Sequence, residues 1–122
     1  MSDATVFSET RRVVFAEPVT GAGLAEALHR FMVALGEPLS YKGVILGHIK
    51  VLAVIPASED FLFLSLTRLD RVDTKASPAY PQGDHSGIDS VDLTINVLLF
   101  GYSRGAVERG LDTALALIPM KV

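Results

Sequence analysis

The chain has 122 residues, no cysteine, and 11 Lys and Arg against 14 Asp and Glu, for a net charge of -3. That length suits one domain whose core needs no covalent staple. The missing thiols exclude disulfides, thiolate chemistry and thiolate-built zinc sites, and the scattered basic residues argue against nucleic acid as the main partner, because phosphate backbones are met by clustered Lys and Arg.

Hydrophobic residues make up 49% of the chain, and the mean hydropathy is +0.38. A small monomer needs much polar cover. An apolar surface buried between subunits, or lining a ligand site, is therefore expected. No apolar run approaches the ~20 residues that span a bilayer. Met1-Ser2-Asp3-Ala4-Thr5 lacks the basic start and apolar run of a signal peptide. The expectation is a cytoplasmic protein with no membrane partner.

Residues 1–10 are polar and unpatterned and read as a flexible N-terminal tail, leaving 11–122 as a single α/β domain. Arg11-Arg12-Val13-Val14-Phe15-Ala16 reads as a first strand, stopped by Pro18. Leu24, Leu28, Phe31, Met32 and Leu35 then fall on one face of a helix that follows Thr20. Gly21-Ala22-Gly23 is read as the turn into that helix. It is no phosphate loop, since Glu26 stands where a third glycine belongs. Gly36 is expected as a left-handed stop, and Pro38 prevents resumption.

Two runs rich in Val, Ile, Leu and Phe come next, 43–56 and 61–69, joined by Ala57-Ser58-Glu59-Asp60. They read as a long antiparallel hairpin that the rest of the chain covers or extends. Residues 70–89 are polar. Within them 71–75 can lengthen the second arm, leaving 76–87 as a tip. Residues 91–100 alternate as another strand, and Gly101 ends it. A last helix over 103–118 carries the stripe Val107, Leu111, Ala114, Leu115 and Ile118.

The order β-α-β-β-β-α predicts an α+β fold: a two-layer sandwich in which a mostly antiparallel four-stranded sheet carries two helices on one face. The helix–three strands–helix core resembles double-stranded RNA-binding domains in outline. The acidic balance opposes the RNA binding that this resemblance implies.

Parity sorts the strand residues between faces. Ile45, Gly47, Ile49, Val51, Ala53 and Ile55, with Leu62, Leu64 and Leu66, and Val91, Leu93, Ile95, Val97 and Leu99, form one apolar face, assigned to the helices. The other face mixes His48, Lys50, Thr67, Asp92 and Asn96 with Leu46, Leu52, Phe63, Leu98 and Phe100. A plain solvent face would be more polar and a plain core less so. His48, Lys50, Thr67, Asp92 and Asn96 are therefore the candidate site. The leading expectation is a homo-oligomeric binding or scaffolding domain, with this face as subunit interface or as floor for a small-molecule ligand. The alternative is a small enzyme, with His48 as base, Lys50 as anion anchor and Asp92 orienting the histidine.

Other motifs resolve into structure. Gly101-Tyr102-Ser103-Arg104-Gly105 matches the nucleophile elbow, but no histidine follows it, so Ser103 reads as a helix cap. Asp84, His85, Asp89 and Asp92 fit no compact ligand spacing and read as a solvated loop. No metal or cofactor is expected. Arg68, Asp70, Arg71 and Asp73 alternate in charge and read as a solvated strand edge that discourages edge-to-edge pairing.

Overall fold

The computed structural model of the chain describes residues 3–81 and 87–121. It is an α+β fold built on one antiparallel sheet of six strands, not four. In chain order the elements are β1 (Thr5–Val19), α1 (Gly21–Gly36), a 3-10 turn (Glu37–Leu39), β2 (Ser40–Tyr41), β3 (Val44–Val54), β4 (Phe61–Arg68), β5 (Arg71–Ala76), β6 (Ile88–Leu99) and α2 (Arg104–Leu115). The strands lie in the order β1-β6-β3-β4-β5, and β2 is a short flap on the start of β3. No helix among the described residues is long and apolar enough to cross a membrane.

The two extra strands come from tight reversals. Lys42 and Gly43 both have positive φ, 52° and 80°, which suits the sharp turn that folds Ser40 and Tyr41 back on Ile45 and Val44. Likewise 71–75 does not lengthen the second hairpin arm. The chain turns at Leu69 and Asp70, and β5 pairs back on β4 from Ala76 opposite Leu62 to Arg71 opposite Arg68.

The expected tail over residues 1–10 is strand from Thr5 onward. Residues 5–10 are strand, paired with β6 from Thr5 opposite Leu99 to Thr10 opposite Thr94. They look unpatterned because β1 is an edge strand, where only Phe7, Val13 and Phe15 are buried and polar residues satisfy the rest. Pro18 does not stop the strand. It sits where the register shifts between Val14 and Val19, a position that needs no N–H from it.

Both helices start as their caps predict. Thr20 Oγ1 accepts from the Gly23 amide at 2.9 Å, and Ser103 Oγ accepts from the Ala106 amide at 3.1 Å, so each hydroxyl satisfies an otherwise free first-turn N–H. Gly36 is not a left-handed stop. Its φ is -74° and the chain continues into the 3-10 turn. Its smallness serves packing, since a Cβ there would stand 2.4 Å from Leu66 Cδ2 and push α1 off β4. The second helix ends at Leu115, and the residues after it turn back along β1: Ala16 donates to Pro119 O and Lys121 donates to Val14 O.

The parity assignment holds along every central strand. Ile45, Ile49, Val51 and Ala53, then Leu62, Leu64 and Leu66, then Val91, Leu93, Ile95, Val97 and Leu99 are all buried. They form one cluster with Leu24, Leu28, Phe31, Met32 and Leu35 of α1 and with Val107, Leu111, Ala114 and Leu115 of α2. Burying each such aliphatic side chain is worth about 1.5–3 kcal/mol against leaving it in water. Tyr80 fastens the chain beyond β5 to this core. Its hydroxyl donates to Gly21 O at 2.7 Å, and burial pushes its pKa up to about 12.

Gly47 is the tightest point. Its φ is +140°, and a Cβ would lie 1.9 Å from Leu98 O, so β3 can approach β6 there only without a side chain. Gly47→Ala is expected to lower stability by about 2–4 kcal/mol, read as a lower urea midpoint at unchanged slope. A midpoint equal to wild type would contradict the close approach.

Candidate functional site: the open sheet face

The residues of the central strands that lie outside the core form the second face of the sheet. The register sorts them into rows that cross all five long strands. One row reads Ser8, Asn96, Lys50, Ser65, Asp73. The next reads Thr10, Thr94, Leu52, Phe63, Lys75. Beyond it lie Arg12, Asp92, Val54 and Phe61. On the other side of the polar row, Val6 faces Leu98, which faces His48. The face is thus a polar row flanked by rows that mix Val6, Leu98, Leu52, Phe63, Val54 and Phe61 with polar and charged residues.

Apolar exposure concentrates here. Among the described residues the exposed large hydrophobics are Val6, Val14, Tyr41, Val44, Leu46, Phe61, Phe100 and Leu117. All but Leu117 occupy positions of this face by parity or by direct pairing. Scattered single apolar residues are ordinary, whereas a contiguous set marks a contact surface.

The five predicted site residues share the face, but the register joins only some of them. Lys50 and Asn96 are direct cross-strand neighbours. Asn96 Oδ1 accepts from Ser8 Oγ at 2.9 Å. Thr67 is exposed in the irregular stretch between the pairs Val44–Arg68 and Ile49–Leu66. Asp92 stands opposite Val54, six positions along β3 from His48, which separates the two by roughly 20 Å. Asp92 therefore does not orient the histidine. It is held instead by Arg12, with Nε to Oδ1 at 2.7 Å and Nη2 to Oδ2 at 3.0 Å. That two-point hydrogen bond, with the attraction of the guanidinium, holds the Asp92 carboxyl below its usual range and raises Arg12 above its own.

His48 is half-buried beside Leu98, and its Nδ1 is enclosed with no hydrogen-bond partner. His48 and Asp92 are thus too far apart to form the relay of the enzyme alternative. The Asp84 and His85 part of the loose acidic cluster lies outside the described residues. Among the described residues no three His, Asp or Glu side chains gather as a metal site would require.

The sequence reading missed the contribution of β1. Ser8, Thr10 and Arg12 extend the face by one strand, and Arg12 supplies the partner that Asp92 needs. The alternation of exposed Arg12 and Val14 with buried Val13 and Phe15 carries that signal. Lys75 and Asp73 of β5 were missed for another reason, the unseen turn at Asp70. With Lys50, Phe63, Ser65 and Thr74 they line a depression of about 350 Å³. Among the described residues, neither Lys50 nor Lys75 has a carboxylate within ion-pair distance. A wider hollow of about 770 Å³ is lined by Ala34, Glu37, Pro38, Tyr102, Arg109 and Thr113 among others, so it too carries charged and polar side chains.

A comparison with protein-family models, with curated proteins and with solved structures finds no match to this chain.

The Asp92–Arg12 pair sets a pH dependence. A carboxyl whose folded pKa is depressed stabilises the fold above its unfolded pKa, and that contribution is lost as pH falls through the folded value. The unfolded reference is 3.8. Wild type and Asp92→Asn should therefore differ in thermal midpoint at about pH 6, by the small amount an exposed pair supplies, and converge near about pH 2. Parallel curves across that range would contradict the pairing.

Proposed function

We propose that this chain is a self-associating α+β module that works as a homo-oligomeric binding or scaffolding unit, with the open sheet face as the contact between copies. In this reading both helices cover the opposite face, and a second copy supplies the layer that the chain itself lacks. One observation carries it: the exposed large apolar side chains gather on a single sheet face instead of scattering over the surface.

Size and pattern support the reading. Five strands at ~4.8 Å spacing and ~30 Å length give a face of roughly 700 Å², close to the ~800 Å² that each partner contributes to a stable interface. An antiparallel sheet that keeps one face in water normally alternates cleanly between apolar and polar. Here Leu52, Val54, Phe63 and Leu98 occupy the water side. Sheet-on-sheet packing would bury Leu52, Val54, Phe63 and Leu98, while the polar row through Asn96, Lys50 and Ser65 bonds across.

Leu52 sits at the centre of the face and outside the core cluster. Leu52→Lys is expected to halve the mass seen by light scattering at about 10 µM, leaving the far-ultraviolet circular dichroism unchanged; a charge at the centre of an apolar contact opposes its burial. Wild type that scatters as a monomer at about 100 µM would overturn the proposal, because a standard-size interface holds far below that concentration.

A further inference from the structure

The sheet has two outer edges, and the chain treats them differently. Along β1, Lys121 donates to Val14 O at 2.7 Å and Ala16 donates to Pro119 O at 3.0 Å. At the other end of β1, the Arg104 guanidinium lies over the Phe7 ring at 4.9 Å and reaches Val6 O. That edge is covered at its two ends and, among the described residues, open between them from Ser8 to Arg12. The edge of β5 is not. Ser77 donates to Phe61 O, which fixes the alternation: odd residues of β5 bond inward to β4, and the N–H and C=O groups of Val72, Thr74 and Ala76 point outward. Among the described residues nothing bonds to them. Unpaired edge groups of this kind are a template for another strand.

Charge decides which strand fits. Arg71, Asp73 and Lys75 alternate along β5 on the open face. Suppose a second β5 adds antiparallel about a two-fold axis, so that outward groups meet outward groups. An axis at Asp73 sets Asp73 against Asp73 and Arg71 against Lys75. An axis at Lys75 sets lysine against lysine. An axis at Val72 matches Arg71 with Asp73 but runs the remaining residues against the turn at Leu69 and Asp70, so little strand overlaps. An axis at Thr74 sets Asp73 against Lys75 on both sides and Val72 against Ala76, over the full strand. Opposite charges directly across a pair stabilise it and like charges oppose it.

We infer that the free edge of β5 pairs antiparallel with β5 of a second copy, about a two-fold axis at Thr74, through backbone hydrogen bonds and reciprocal Asp73–Lys75 contacts. The alternating charges then exclude the registers centred on Asp73 and Lys75, and the turn at Leu69 and Asp70 excludes the one centred on Val72. Lys75, which has no carboxylate partner among the described residues of its own chain, gains one. The two sheets become a single sheet of twice the width. This edge contact is made by outward backbone groups of β5, which the face contact leaves free, and it does not depend on that contact.

The absence of cysteine makes the axis directly testable. Opposed Cα atoms in a hydrogen-bonded antiparallel pair are ~5.5 Å apart, inside the ~4.4–6.8 Å range of disulfides. Thr74→Cys should therefore form a covalent dimer under mild oxidation. Ala76→Cys, about 14 Å from its own copy in this register, should cross-link at least ten-fold more slowly. Adding Asp73→Lys to Thr74→Cys should slow the reaction at least ten-fold, and adding Lys75→Asp as well should restore it. The Thr74→Cys dimer should also survive Leu52→Lys, which breaks only the face contact. No cross-link at Thr74→Cys, equal cross-linking at Ala76→Cys, no rescue by the charge exchange, or loss of the dimer with Leu52→Lys would each overturn the inference.

Discussion

The pleat of β6 governs this molecule. From Val91 to Leu99 every second residue is buried, and the strand is paired over nearly its whole length on both sides, with β1 and with β3. Because side chains alternate with a period of two, a slip of one residue against either neighbour would turn an entire row of aliphatics to water and bring Asp92, Thr94 and Asn96 into the core. At about 1.5–3 kcal/mol for each apolar side chain lost from the interior, such a slip would cost more than the few kcal/mol by which a domain of this size is stable. The register is therefore fixed, and with it every cross-strand neighbour on the opposite face.

Features encoded locally were legible in the sequence. The alternation in β3, β4 and β6 and the caps at Thr20 and Ser103 depend on neighbours within a turn or a strand, and all appear as the pattern implies. Features set by distant pairing were not legible. Residues 5–10 become strand only because β6 offers an edge to them. Gly36 is small because Leu66, thirty positions away, needs the space. His48 and Asp92 share a face by parity, yet the register between β3 and β6 keeps them apart, and Arg12 of β1 claims the carboxylate. Parity gives the face of a residue, and only the register gives its neighbours.

The uncovered face and the uncovered edge are two consequences of one economy in the chain. Two helices with one apolar stripe each contribute to one cluster, and no described element beyond them buries the second side. The C-terminal residues bond to one end of the β1 edge, and no described element pairs with the outer edge of β5. Under the proposed self-association, apolar side chains on the face and alternating charge at the edge would be different chemistries for the same end, contact with another copy.

Hydroxyl-radical footprinting across a concentration series tests the central claim most directly, because it reads side-chain exposure residue by residue. Leu52, Phe63 and Leu98 should react when the protein is dilute and become protected as it is concentrated, while Ile49, Val51 and Ile95 stay unreactive throughout. Equal reactivity of Leu52, Phe63 and Leu98 at every concentration would contradict a face that meets its own copy.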